Sequence, residues 1–276
     1  MLLFLNPFMV RSTTPTTRLT CCAILMIAGG CSQSDPSKVN PADPTENAMS
    51  EESNPAEVEP TYGPAPEGKV LRHAVFFSFQ ESTSEEDVTE VVNAFRELPS
   101  KIEDIIDFSW GVNNSPEGLD DGFTHCFLLT FKDEAGRAAY LPHPAHQEFG
   151  SVLSGRNDNT FVIDYWGTPL ENPPESQLKH AVFFRFKKEA SQEEIRNVEE
   201  AFAALPSKIS EIKGFEWGTN NSPETMSDGF THCFMVTFDS EEGRKVYLDH
   251  PDHLAFVAVL RPVLDAPRVL DFRAEE

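Results

Sequence analysis

All eight histidines of this 276-residue chain fall into two clusters of one pattern: His73, His125, His143 and His146, then His180, His232, His250 and His253. Each cluster carries a tyrosine just ahead of its last histidine, Tyr140 and Tyr247. Imidazole and phenol among apolar groups suit proton transfer on a bound carbonyl compound, because burial shifts their pKa values and excludes water. His146 and His253 are therefore candidate bases for an α-proton, with Tyr140 and Tyr247 holding the oxygen. His73 with His125, and His180 with His232, lie in phenylalanine-rich stretches and are candidate ligand-lining residues. A structural role competes with this reading. A histidine on an apolar strand face is often a hydrogen-bonded core residue, and His143-Pro144-x-His146 also fits a helix cap followed by a first-turn proline. The same His-x-x-His spacing offers two metal ligands, but zinc sites use three or four. No third is evident in the sequence, so no metal site is expected. A haem would have only a histidine to rely on, since no Cys-x-x-Cys-His attachment motif is present. No cofactor is expected either.

These residues sit in a tandem repeat. Leu71–Trp166 aligns without a gap on Leu178–Arg273 at a constant offset of 107, and about half of the positions are identical. The shared blocks are HAVFF at His73 and His180, LPSKI at Leu98 and Leu205, and WGxNNSPE at Trp110 and Trp217. DGFTHCF at Asp121 and Asp228 and GRxxYLxHPxH ending at His146 and His253 complete the set. Only Phe4 and Phe8 of the 22 phenylalanines lie outside the repeats, which places the core within them.

Within the first copy, Leu71–Phe79 alternates as a strand does, with His73, Val75, Phe77 and Phe79 on one face. Ser84-x-x-Asp87, like Ser191-x-x-Glu194 in the second copy, reads as a helix start. Val88, Val91, Val92, Phe95 and Leu98 form its buried stripe, and Pro99 is expected to end it. Phe108–Asn113 and Thr124–Phe131 are the next strands, separated by a turn-rich loop from Asn114 to Gly122; Asn113, Asn114, Ser115 and Pro116 recur as Asn220–Pro223, where a ligand rim competes with turn formation, which explains them adequately. Asp133–Leu141 is helical, a short helix is expected from His146 to Leu153, and Phe161–Trp166 is the last strand. The order βαββαβ predicts an α+β fold: a ferredoxin-like four-stranded antiparallel sheet with both helices on one face. Its other face, carrying Ala74, Phe76, Cys126 and Leu128, needs a cover. The second copy supplies one, so the copies are expected to pair face to face within one chain as a pseudo-dimeric α/β barrel. Cys126 and Cys233 then face the opposite sheet, where a disulfide is conceivable; buried free thiols are the expected state.

On these blocks each copy resembles the stress-responsive A/B barrel (Dabb) family of dimeric α/β-barrel modules. Asp164 and Asp271, near the ends of the last strands, also fit. The family includes structural stress proteins and at least one cyclase, which performs an intramolecular aldol condensation with a Tyr–His pair. By motif that pair corresponds to Tyr140 with His146 and to Tyr247 with His253, and two strand histidines correspond to His73 with His125 and His180 with His232. The resemblance implies a stress-related ligand-binding or structural barrel, or an enzyme with Tyr/His acid–base chemistry on a carbonyl substrate. A haem-binding or oligomer-forming barrel is a further alternative. It leaves open which holds here.

The expected layout is a signal over residues 1–30, a tether over 31–68, barrel repeats over 69–166 and 178–276, and a linker over 167–177. Residues 1–18 contain no acid and carry Arg11 and Arg18; Leu19–Ile27 is apolar, and Ala28-Gly29-Gly30-Cys31 follows. The apolar run is shorter than the roughly 20 residues that span a bilayer. It resembles a bacterial lipoprotein signal with Cys31 as the lipidated residue. The segment from Ser32 to Gly68, rich in Pro, Ser, Asn, Asp and Glu, cannot bury enough apolar surface to offset ordering and reads as an acidic tether. An exported, lipid-anchored envelope protein is the expectation, touching the membrane only through that anchor. With a formal charge of −23, a nucleic-acid partner is excluded, because phosphate neutralisation needs clustered Lys and Arg. A small apolar or carbonyl ligand and a possible homo-oligomer are the remaining partner expectations.

Overall fold

The computed structural model describes residues 62–275. The expected signal, Cys31 and most of the tether lie outside the described residues. In the first repeat, β1 (Val70–Phe79), α1 (Glu85–Arg96), α2 (Leu98–Lys101), β2 (Ile105–Val112) and β3 (His125–Phe131) are followed by α3 (Glu134–Tyr140), α4 (Pro144–Leu153) and β4 (Asn157–Gly167). The second repeat gives β5 (Leu178–Phe186), α5 (Gln192–Ala203), a single 3-10 turn at Leu205–Ser207, β6 (Gly214–Thr219) and β7 (His232–Phe238). It closes with α6 (Glu241–Asp249), α7 (Pro251–Leu260) and β8 (Leu264–Arg273).

The long helices start where side chains satisfy their free amides. The Ser84 hydroxyl accepts from the Asp87 amide at 3.1 Å, and Ser191 with Glu194 forms a reciprocal capping box. Val91, Val92 and Phe95 of α1 are buried against the sheet, as the spacing requires. Two boundaries differ from expectation. Pro99 does not end a helix at Leu98; α1 stops at Arg96 and the proline opens the turn α2, where its missing N–H costs nothing. The α4 helix begins at Pro144 rather than His146, because the His143 side chain accepts from the Ala145 amide and caps it.

Each repeat is a four-stranded antiparallel sheet, ordered β2-β3-β1-β4 and β6-β7-β5-β8. The register sets His73 between Leu129 of β3 and Asp164 of β4, and Phe77 opposite His125. One face of the first sheet, with Val75, Phe77, Phe127, Leu129 and Phe131, packs under the helices. The other face meets the second sheet: Ala74, Phe76, Cys126 and Leu128 share a core with Ala181, Phe183, Cys233 and Met235. Phe76 and Phe183 meet edge to face at 5.2 Å. Burying a Phe side chain is worth roughly 1.5–3 kcal/mol, so this face holds the two sheets together within the chain. Cys126 and Cys233 are buried free thiols, and burial pushes both well above their ordinary pKa.

The barrel closes at two seams, where β4 contacts β6 and β2 contacts β8. Trp110 bridges to Glu275, and the Asn114 and Asn221 amides donate to the Asp271 and Asp164 carbonyls at 2.8 and 2.9 Å. Glycine is required at Gly111 in this seam: an added Cβ would stand 2.5 Å from the Arg273 carbonyl oxygen.

Candidate functional site

The β1–β4 register brings His73 beside Asp164, and their side chains meet Nδ1 to Oδ1 at 2.7 Å. The other Asp164 oxygen accepts from Arg137 Nη1 at 2.8 Å, supplied by α3. Asp164 is fully buried, His73 is 2% exposed and Arg137 is 6% exposed. The loop after β6 in the opposite repeat completes the shell. Arg137 Nη1 also donates to the Asn221 carbonyl and side-chain oxygens at 3.1 and 2.9 Å, and the Asp164 amide donates to Asn220 Oδ1 at 3.1 Å. The second repeat mirrors every contact. His180 meets Asp271 at 2.6 Å, Arg244 donates to Asp271 at 2.7 Å and to Asn114 Oδ1 at 2.7 Å, and the Asp271 amide donates to Asn113 Oδ1 at 3.0 Å. Each site is therefore made by both repeats. The WGxNNSPE loops, whose composition is explained by turn chemistry alone, are the cross-repeat arms.

Electrostatics follow from this shell. Burial disfavours charge on His73, but Asp164, as counter-charge and hydrogen-bond partner, outweighs it and raises the histidine above its ordinary value. Burial likewise works against the Asp164 carboxylate, and His73 and Arg137 together hold it below its usual value. His180 is raised for the same reasons, through Asp271.

Outward from this pair lie the tyrosine and the last histidine. Tyr140 packs 5.5 Å from the His73 ring and 4.2 Å from the His146 ring; Tyr247 lies 5.6 Å from His180 and 4.3 Å from His253. Burial drives both phenols above their ordinary pKa, so they stay protonated donors. Burial lowers His146, and lowers His253 to about 4. His146 Nδ1 lies 2.9 Å from the Leu141 carbonyl and His253 Nδ1 3.1 Å from the Leu248 carbonyl. A carbonyl can only accept, so each neutral ring carries its proton on Nδ1 and leaves Nε2 as a base.

A carboxylate from the opposite repeat reaches each site. Glu224 Oε2 lies 4.0 Å from His73 Nδ1, and Glu117 Oε1 lies 3.9 Å from His180 Nε2. Those two oxygens and the Tyr247 hydroxyl are buried without a hydrogen-bond partner. Burial raises Glu117 above its usual value, against the pull of His180.

The strand histidines expected beside His73 and His180 are elsewhere. His125 pairs in register with Phe77, four residues along β1 from His73, so it does not join His73 in mid-sheet. It contacts Thr124 at 2.9 Å and the edge of Phe79 at 5.0 Å. His232 takes the equivalent place against Phe186 and in addition meets Glu199 at 3.0 Å. Alternation fixes a face but not a position along the strand, so the sequence alone groups both with the first pair. His143 and His250 cap α4 and α7. Among the described residues, no three His, Cys, Asp or Glu side chains form a metal-binding group.

Two ferredoxin-like units, fused in tandem and closed face to face, define this chain as a single-chain member of the dimeric α/β-barrel class. A family model described as "Stress responsive A/B Barrel Domain" (Dabb) matches residues 71–167 and again 178–274, and the chain belongs to that family. It is 37% identical over 100 residues to the stress-response A/B barrel domain-containing protein HS1 of Arabidopsis thaliana, covering 36% of this chain and 92% of the relative. It is 27% identical over 95 residues to olivetolic acid cyclase of Cannabis sativa, covering 34% of this chain and 94% of that enzyme. A solved anthrone oxidase-like protein matches at 11% identity with a TM-score of 0.50, over 76% of this chain and 93% of its own, and shares the fold.

Proposed function

We propose that this protein is an exported, lipid-anchored stress protein whose tandem barrel binds a small, largely apolar ligand with a polar head at two equivalent sites. The observation that carries the reading is the set of buried, partnerless polar atoms, Glu117 Oε1, Glu224 Oε2 and Tyr247 Oη, placed around His73 and His180. Buried polar groups are normally paired, and a ligand offering one donor and one acceptor satisfies a carboxyl and a phenol together. The aromatic residues around them suit an apolar body. The test is ligand retention: Tyr140→Phe and His146→Ala, with Tyr247→Phe and His253→Ala, are expected to leave the barrel folded and strip a co-purifying compound from it. Unfolding of these variants would make the residues structural.

A second reading is favoured by one feature, the neutral His146 and His253 rings with free Nε2 beside protonated phenols. Removing an α-proton at Nε2 while the phenol donates to the developing oxyanion is acid–base chemistry on a carbonyl compound. The similarity to olivetolic acid cyclase supports it. Turnover of the retained compound by the wild type, lost in His146→Ala/His253→Ala, would establish this reading over binding alone.

The anchor rests on the order of Arg11, Arg18, the Leu19–Ile27 run and Cys31. Cys31→Ser is expected to abolish incorporation of a labelled fatty acid and to release the protein from the membrane fraction. Unchanged membrane association would refute the anchor.

A further inference from the structure

The repeats match at nearly every site residue, yet at the two ends of the sheet–sheet interface they differ in a complementary way. At one end Arg72, 9% exposed, donates Nε to Glu216 Oε1 at 3.0 Å across the interface, and Tyr165 donates to the same oxygen at 3.0 Å. The residues equivalent by the offset of 107 are Lys179, Ser109 and Phe272, a set with no carboxylate. At the other end Arg268, 5% exposed, lies 4.3 Å from the Phe161 ring centre and 4.6 Å from that of Phe230. It pairs with Asp121 of the first repeat at 2.9 Å and Asp228 of the second at 3.0 Å. The equivalent of Arg268 is Phe161 itself, so an arginine and a phenylalanine meet at the pseudo-twofold axis.

From this we infer that the inner sheet face of each repeat is specified to accept the other repeat and to reject a second copy of itself. Two first repeats paired together would face Arg72 with Ser109 and leave each guanidinium with its own Thr130 hydroxyl and, as its carboxylate, only its own Asp107, 3.6 Å away and largely exposed. Two second repeats would bring two Arg268 guanidiniums to the place where arginine and phenylalanine now stack. A buried charge that loses its partner is strongly destabilising, and like charges brought together reject wrong partners. The 1:2 pairing keeps every buried guanidinium matched. The specificity residues are Arg72, Glu216 and Arg268.

The test starts from the folded chain with a protease site placed in the linker between Gly167 and Leu178. Cleavage then leaves both halves in one particle. Unlabelled and heavy-isotope-labelled cleaved protein are mixed, and urea is raised until light–heavy 1:2 pairs show that halves exchange. Native mass spectrometry counts the 1:1, 1:2 and 2:2 pairs. The expected result is at least a roughly hundredfold excess of 1:2 over homotypic pairs, the scale of one buried charge losing its partner. Glu216→Ser with Arg268→Phe, which gives the second repeat the first repeat's residues at two positions, is expected to collapse that excess toward the statistical mixture. A statistical mixture in the wild type overturns the inference. So does a 1:2 excess that survives the double variant. If that variant does not fold, Glu216→Gln alone removes the carboxylate that Arg72 faces while keeping the shape of the side chain, and a 1:2 excess unchanged there would also overturn the assignment of Arg72.

Discussion

Replacing Asp164 by asparagine keeps the shape of the side chain and removes one buried negative charge. Asp164 is fully buried, and its two oxygens take His73 Nδ1 at 2.7 Å and Arg137 Nη1 at 2.8 Å. After Asp164→Asn, Arg137 keeps its bonds to Asn221, but its nearest remaining carboxylate is Glu134 at 3.7 Å, which is partly solvated. Breaking a buried pair by removing one partner costs about 3–5 kcal/mol. With a urea m-value of about 2–3 kcal/mol/M for a unit of this size, the unfolding midpoint is expected to fall by about 1–2 M. His73 loses the charge that raised it while burial still opposes its protonation, so its pKa is expected to drop. Equilibrium urea unfolding reads the first effect, and histidine NMR titration the second. Adding Arg137→Leu to Asp164→Asn is expected to recover part of the lost stability, because the orphaned guanidinium is gone. A loss below about 1 kcal/mol, or no recovery in the double variant, would refute the view that Asp164 is the partner that keeps the buried Arg137 charge paired.

Acid has a defined effect through His253. Its folded pKa of about 4 lies below the ordinary 6.5, so the unfolded chain binds the extra proton between those values. Stability is therefore expected to fall as pH drops from about 6.5 to about 4, by about 3 kcal/mol at most, and His253→Gln should flatten that part of a pH–urea series. His73 and His180 act in the opposite sense: their raised values give stability that is full below pH 6.5 and lost as pH rises through the folded pKa. Tyr165→Phe removes a hydrogen bond to the Glu216 carboxylate and is expected to cost about 1.5–3 kcal/mol. Tyr247→Phe removes a hydroxyl with no protein partner, so a thermal melt should show a change below about 1 kcal/mol. Cys126 and Cys233 should resist a thiol reagent until urea unfolds the barrel, since both thiols are buried and held protonated.

The sheets, the helices and the pairing of the two repeats could be read from alternation, capping pairs and the constant offset of 107. Alternation assigns Ala74, Phe76, Cys126 and Leu128 to a second buried face, and that face is where the other repeat packs. What alternation does not carry is position along a neighbouring strand. That is why His125 appears beside His73 on the sequence and stands opposite Phe77 in the structure. The Asp164–Arg137 half of the site was hidden for a related reason: its partners lie on different elements, and Asn221 lies on a different repeat. A signal was present in the loops, where Asn-Asn-Ser-Pro-Glu recurs at Asn113 and Asn220, but turn formation accounts for such residues without any tertiary role. Glu117 and Glu224, each with one buried carboxyl oxygen, belong to those same loops, and only closure of the barrel reveals where they go.

The proposed arrangement is one chain forming one barrel with two ligand sites, each shared between repeats. Native mass spectrometry of the protein recovered from its own cells tests it most directly. The expected result is a monomer carrying up to two copies of one small molecule, with that mass lost in the Tyr140→Phe/His146→Ala/Tyr247→Phe/His253→Ala variant. A bare chain in both proteins, or the same extra mass in both, would contradict it.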